Sequence, residues 1–337
     1  MKIRLKPIEE QVVVIIGASS GIGRETALRF ARRGAKLVLA ARNDEALESL
    51  HAEILRLGGA ATPVVADTTD PAQMKAVAGK AIETYGRIDT WAHIAGGSIY
   101  ARFIEHTPDE FRQVIETNLL GQVYGAMAAI PYMRQNGGAL IHVSSVVARM
   151  AVPLQSAYSS SKHGMSGFIK AMRLELIKDK VPISVTEVLP AAINTPFFNH
   201  ARTKLGVKPM GLPPFYQPQV VADAIVRAAE SPMREVYAGG ASKLFTVMQR
   251  FAPRLTDLFI LNTAFKGQQT DEPKSASAPA TVFEPVRGDT RIEGDFSEQA
   301  IGSVYTRVQT SPAARRGTLL ASILGGAAVV ATRLRRS

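Results

Sequence analysis

The chain has 337 residues, 46% hydrophobic and 20% charged, which suits one large α/β domain with an extension, or two small domains, around a sizeable core. It contains no cysteine, so disulfides, thiolate catalysis and cysteine-ligated metals are excluded. The net charge of +11 favours phosphorylated ligands, anionic surfaces or nucleic acid, but aromatics are only 7% and no basic-aromatic motif of a nucleic-acid reader occurs, so no nucleic-acid partner is expected.

Residues 1–10 read as an arm with Lys2, Arg4 and Lys6 and no apolar stretch of signal-peptide length. From residue 11 onward, short apolar runs alternate with amphipathic stretches. Residues 11–16 (QVVVII) predict a buried strand, 22–33 a helix ended by Gly34, 36–41 a strand, and 44–57 a helix stopped by Gly58 and Gly59. Residues 62–66 predict a third strand and 71–85 a helix with proline in its first turn, where the missing N–H costs nothing. A strand at 89–94 precedes one long helix from Thr107 and Pro108 to about Met133. Strands at 139–144 and 183–189 flank a long helix at 157–178, and a helix at 218–229 leads to a last short strand at 235–238. Apolar strands alternating with helices imply a parallel sheet covered on both faces, and right-handed crossovers make it a doubly wound, Rossmann-type α/β fold.

The expected organisation is therefore an arm at 1–10, a catalytic domain at 11–240, amphipathic helices at 241–266 broken near Pro253, a linker and irregular tail at 267–315, and an apolar helix with basic flanks at 316–337. Residues 317–332 (GTLLASILGGAAVVAT) carry no charge and lie between Arg315-Arg316 and Arg333, Arg335 and Arg336. A helix of that length spans about 24 Å, short of the roughly 30 Å hydrocarbon core, though snorkelling arginines would let it insert. Both a membrane anchor and a packed helix remain open for this segment. The six histidines form no HxH or HExxH pair, and no metal site is expected.

Three motifs carry chemistry. Gly17-Ala18-Ser19-Ser20-Gly21-Ile22-Gly23 directly follows the first strand and opens a helix. Its glycines allow close approach to a pyrophosphate, and the helix N-terminus supplies N–H donors. At the end of the second strand, the position where an acid would hold a ribose 2′-hydroxyl is Ala41, and Arg42 follows it. A guanidinium binds a 2′-phosphate bidentately, so NADP(H) is expected ahead of NAD(H). In Tyr158-Ser159-Ser160-Ser161-Lys162, a phenol and an ammonium lie four apart on one helical face, where the cation stabilises tyrosinate. Ser145, thirteen residues before Tyr158, sits past the fifth strand at the ligand edge of the sheet; Ser144 is its neighbour, and the spacing favours Ser145.

Together with Asp67, Thr117-Asn118-Leu119, Pro190 and Thr195, these segments resemble the classical short-chain dehydrogenase/reductase family over residues 11–240, about two thirds of the chain. The resemblance implies an NADP(H)-dependent oxidoreductase moving a hydride between nicotinamide and a carbonyl or secondary alcohol. It implies Tyr158 as general acid or base, Lys162 lowering its pKa and holding the nicotinamide ribose, Ser145 holding the substrate oxygen, and Asn118 holding a water linked to Lys162. It also implies Asp67 at the adenine, Ala95 in the cofactor site, and Pro190, Ala191, Ile193 and Thr195 along the nicotinamide. A homodimer or homotetramer built on the two long helices follows from the same resemblance. The sequence departs from the family pattern at Ile16, where threonine is usual, at His93-Ile94-Ala95-Gly96, where NNAG is usual and an asparagine contact is expected to be missing, and at Ala191, where glycine is usual.

Residues 196–218 (PFFNHARTKLGVKPMGLPPFYQP) match the loop that covers the substrate in this family. Phe197, Phe198, Met210, Phe215 and Tyr216 suggest an apolar pocket wall and a bulky apolar substrate. The competing reading is a non-catalytic NADP(H)-binding sensor or scaffold protein of the same fold. The expected location is the cytoplasm, with membrane attachment through residues 317–332 as the second option.

Overall fold

The computed structural model describes residues 3–311. At its centre is a seven-stranded sheet: β1 (Val12–Ile16), β2 (Lys36–Ala41), β3 (Ala60–Val65), β4 (Thr90–His93), β5 (Gly138–Val143), β6 (Ile183–Pro190) and β7 (Glu235–Ala238). The strand order is β3-β2-β1-β4-β5-β6-β7, and every pairing is parallel. The chain winds outward from β1 through β2 to β3, then returns to lay β4 on the other side of β1. That reversal opens a crevice at the carboxyl ends of β1 and β4, where a doubly wound sheet binds its ligand.

The strands are apolar on both faces because helices cover both. Val13 and Ile15 of β1 pack with Leu37, Leu39 and Ile141 under α1 (Gly21–Arg32) and α2 (Asp44–Arg56). Val12, Val14 and Ile16 pack with Val38, Trp91 and Leu140 under α3 (Pro71–Tyr85), α5 (Gly121–Met133) and α6 (Ser156–Lys178). A period of two in side-chain direction splits one strand between two cores.

Local signals set the helix ends. Asn43 accepts from Ala46 N–H at 3.0 Å, and Asp70 accepts from the N–H groups of Ala72 and Gln73 ahead of Pro71. Thr107 and Glu110 exchange bonds across the first turn of α4 (Pro108–Ile115), a reciprocal cap. The expected single helix to Met133 is interrupted: residues Glu116–Leu120 form a π-turn between α4 and α5, and Asn118 lies in it. Such a bulge rotates the residues beyond it, and it turns Asn118 into the interior.

After α7 (Pro218–Glu230) and β7, the expected amphipathic stretch forms two helices, α8 (Gly240–Phe251) and α9 (Pro253–Gly267), parted at Pro253. Residues 267–303 differ from the expected linker. Gln269–Pro273 pairs antiparallel with Val207–Pro209, and the chain then crosses the ligand edge of the sheet before α10 (Val304–Thr310) docks on β7. Ala280, Val282 and Phe296 are buried along this path. These anchors recur at no helical or strand period, so periodicity cannot find them. Residues 316–337, expected as an apolar helix, lie outside the described residues. Among the described residues, no helix is long and apolar enough to cross a membrane.

Candidate active site

The glycine loop closes tightly on β1 and β2. The N–H groups of Gly17 and Ala18 both donate to Ala40 O, at 2.8 and 3.2 Å. Gly17 has φ +87°, and a Cβ there would lie 2.7 Å from Ala95 N. A Cβ on Gly23 would lie 1.9 Å from Gly17 O, so the helix and the loop touch through backbone alone. Ser20 is the extended residue before α1, and Gly21 opens it.

Two adjoining cavities meet at this edge, sharing Ile22, Ile94, Gly96, Thr195 and Phe197. The first is a cleft lined by Gly17, Ser19, Ser20, Gly21, Ile22, Gly23, Arg42, Ala95 and Thr195. The second is an apolar pocket lined by Ser145, Tyr158, Lys162, Pro190 and Ile193, with Val147, Met150, Val152, Leu212 and Phe245. Of the catalytic and cofactor-binding residues expected from the sequence, Asp67 and Asn118 line neither cavity. Asp67 accepts from Thr69 through both N–H and Oγ1 at 2.9 Å, and receives Arg42 Nη1 at 3.4 Å.

α6 carries Tyr158 and Lys162 into the pocket. Tyr158 and Ser145 line the same pocket, and burial pushes the phenol up to about 12, against the pull of the nearby Ser145 hydroxyl. Lys162 Nζ lies 5.5 Å from the Tyr158 ring centroid and donates to Val143 O at 3.2 Å. Burial holds its ammonium down at about 8, opposed by the Glu187 carboxylate. Ser145 Oγ accepts from Val147 N–H at 3.1 Å, which fixes its rotamer. Ser144 lines the same pocket, but its Oγ has no protein partner.

Asn118 is fully buried. Its Oδ1 accepts from Gly97 N–H at 2.8 Å, and its Nδ2 donates to Gly97 O at 2.8 Å and to Ser161 Oγ at 3.2 Å. A Cβ on Gly96 would stand 3.0 Å from Asn118 Oδ1 and 3.8 Å from Lys162 Nζ, so amide and ammonium face a common point.

The contact expected to be missing at His93 is replaced. His93 Nε2 bonds Thr68 Oγ1 at 2.9 Å, and Gln122 Nε2 donates to His93 O at 3.2 Å while its Oε1 bonds His142 Nδ1 at 2.7 Å. Desolvation, with Lys162 nearby, lowers both imidazole pKa values, His142 to about 3, so the pair stays neutral beneath the cleft.

The predicted apolar wall is realised in part. Phe197 and Phe198 line the pocket. Phe215 instead stacks on Phe296 at 4.4 Å, Tyr216 receives Ala241 N–H on its hydroxyl at 3.1 Å, and Met210 packs with the Phe215 cluster. The tail supplies the partner, Phe296, that draws Phe215 away from the pocket. Sequence reasoning missed Gln155 and Gln268 in the pocket, and His200 and Thr281 in the cleft. No motif marks them; Gln268 lies just beyond α9, where an alternation of charge and apolar residues is the only signal.

A family model for short chain dehydrogenase matches residues 11–206, more than half of the chain, and the chain belongs to that family. It is 37% identical over 286 residues to the uncharacterized oxidoreductase YxnA of Bacillus subtilis, covering 84% of this chain and 80% of that protein. It is 35% identical over 225 residues to the 3-oxoacyl-[acyl-carrier-protein] reductase FabG of Thermotoga maritima, covering 65% and 90%. Among solved structures, an alcohol dehydrogenase from the archaeon Thermococcus sibiricus, complexed with 5-hydroxy-NADP, superposes with a TM-score of 0.60 at 25% identity, covering 67% of this chain and 95% of that one. The protein is an oxidoreductase of the short-chain dehydrogenase family, acting on CH–OH or C=O groups with NAD(P)(H).

Proposed function

We propose that the protein reduces a bulky apolar ketone or aldehyde with NADPH, and oxidises the matching alcohol in reverse, with Tyr158 as the acid and base. The observation that carries this reading is the grouping of Ser145, Tyr158 and Lys162 in one apolar pocket, with Lys162 Nζ 5.5 Å from the Tyr158 ring centroid, adjoining the glycine-loop cleft.

The cleft suits a dinucleotide. The positions where a Cβ would fill the loop are glycine, and α1 points its N-terminus at the same place. Ala41 puts no acid at the ribose, and Arg42 offers a guanidinium to a 2′-phosphate. When bound, the reduced nicotinamide supplies the hydride. Ser145 hydroxyl holds the carbonyl oxygen and steadies the negative charge that gathers there. Tyr158 gives its phenolic proton to that oxygen, and the Lys162 ammonium stabilises the tyrosinate left behind. Asn118 holds a water that links Lys162 to the bulk proton supply. Pro190, Ile193 and Thr195 support the nicotinamide side, Ala95 borders the glycine loop, and Asp67 stands at the adenine end beside Arg42. Met150, Val152, Leu212 and Phe245 make the pocket apolar, which suits a bulky hydrophobic substrate.

A homo-oligomer is part of this reading: Met127, Tyr132, Leu174 and Ile177 are exposed on α5 and α6, an apolar face suited to a second copy.

The test is Tyr158→Phe against a panel of aromatic and long-chain ketones, following NADPH consumption. Turnover falls by about 10³-fold while NADPH still binds. A variant with undiminished turnover removes Tyr158 from the proton transfer.

A further inference from the structure

Residues 281–303 lie beyond the family match, which ends at residue 206, yet they bond to residues in and beside the dinucleotide cleft. At the ribose end, Arg42 donates to the carbonyls of Thr281 and Phe283, the second at 3.2 Å. Asn43 Nδ2 donates to Val286 O at 3.0 Å, and Gln113 Nε2 donates to Val282 O at 3.1 Å. The Phe283 ring lies 4.7 Å from the Arg202 guanidinium, and Thr281 N–H donates to His200 O at 3.0 Å. Midway, the N–H of Gly21, the first residue of α1, donates to Arg291 O at 2.9 Å. At the nicotinamide end, the buried Asn194 accepts from Phe296 N–H at 2.9 Å and donates to Ser297 Oγ at 3.0 Å, next to Thr195.

We propose that residues 281–303 form the outer wall of the cofactor site, with the carbonyls of Thr281 and Phe283 positioning Arg42 for the 2′-phosphate of NADP(H). The proposal rests on the NADP(H) reading above. A free arginine side chain loses much rotamer freedom when it grips a phosphate. Two main-chain carbonyls take that loss during folding, before any ligand arrives. Carbonyls also orient a guanidinium without cancelling its charge, which a second carboxylate beside Asp67 would do. Thr281 itself lines the cleft, and Arg291 O already takes the Gly21 N–H, so a dinucleotide in the cleft meets the strap at its ribose end, beside Arg42. Loosening the strap therefore frees Arg42 and opens the ribose end of the cleft.

The experiment uses the full chain with a site-specific protease sequence inserted between Arg287 and Gly288, where the strap is exposed. After folding, the chain is cut and release of NADPH and NADH is followed by stopped-flow fluorescence. The Phe296 stack and α10 still hold the downstream piece. Cutting speeds NADPH release by about fivefold or more and lowers the NADPH:NADH affinity ratio by a similar factor, with far-UV circular dichroism unchanged. Gln113→Ala in the uncut chain, which removes one strap anchor, shifts both readings the same way by about twofold, and it decides the matter if the cut protein unfolds. Hydrogen exchange at residues 281–291 slows when NADP(H) binds, a response that a strap serving only to pack would not give. Unchanged release in both variants, or tighter NADPH binding after the cut, overturns the proposal. An intact protein that binds NADPH and NADH equally refutes the phosphate reading before any cut is made; unchanged release in a protein that does prefer NADPH refutes the strap alone.

Discussion

Lys162→Met should make this protein more stable while it destroys the activity. Lys162 is 3% exposed, and its Nζ has Val143 O as its acceptor at 3.2 Å. Burial brings its pKa from 10.5 to about 8. Between these values the unfolded chain carries a proton that the native state has released, so stability rises with pH across that window. Below about 8 the ammonium is charged in both states, and the folded protein bears the full cost of burying it. A gap of roughly 2.5 pH units at ~1.4 kcal/mol each puts that cost near ~3 kcal/mol at pH 7. Methionine matches the length without the charge, but it leaves Val143 O unpaired at a cost of ~1 kcal/mol, so the net gain is ~2 kcal/mol. Urea unfolding of both proteins at pH 7 and pH 10.5 reads this directly: the variant leads at pH 7, and its lead closes as pH rises. A variant no more stable at pH 7, or a difference that ignores pH, refutes the claim that the lysine is held charged against its surroundings.

Gly23→Ala places a methyl 1.9 Å from Gly17 O, so loop and helix must part. Stability falls by ~1–3 kcal/mol and dinucleotide affinity drops with it, read by calorimetric titration; full affinity would show that the loop does not grip the cofactor. Arg149→Met strips the buried Glu187 carboxylate, whose side chain is 1% exposed, of an ion pair at 2.7 Å. Unfolding in urea should register a loss of ~3–5 kcal/mol, and a loss under about 1 kcal/mol would show that Ser166 alone already satisfies Glu187.

The sheet and its crevice were legible because their determinants are side chains in register with a period. β1 reads VVVII, and a strand buried on both faces has no other composition available. Gly17, Gly21, Gly23, Tyr158 and Lys162 were legible for a related reason: a close backbone approach admits only glycine, and a four-residue spacing on a helix puts two groups on one face. The interruption at Glu116–Leu120 was not legible, since Glu-Thr-Asn-Leu-Leu is ordinary helical sequence and the π-turn arises from packing, with Gly121 held so close that a Cβ would meet Thr68 Oγ1 at 2.6 Å. The fate of Phe215 and Tyr216 was hidden for another reason. An aromatic residue in a covering loop suits a pocket and a core equally, and what decides is Phe296, eighty-one positions further on.

The strap shows where reading a sequence meets a physical limit. Its contacts with Arg42, Asn43, Gln113 and Gly21 all end on main-chain carbonyls, those of Thr281, Phe283, Val286, Val282 and Arg291. Every residue carries a carbonyl, so an acceptor of this kind leaves no letter to find. Side chains steer the segment at a few points, through Val282 and Phe296 in the interior and Asn194 beneath it, and those anchors are too sparse to form a pattern. A cofactor site can therefore have one wall written in a motif and the opposite wall written in backbone. Substitutions at Thr281 or Phe283 that keep the local conformation should then leave cofactor preference intact, whereas a change of chain path at the same positions should not.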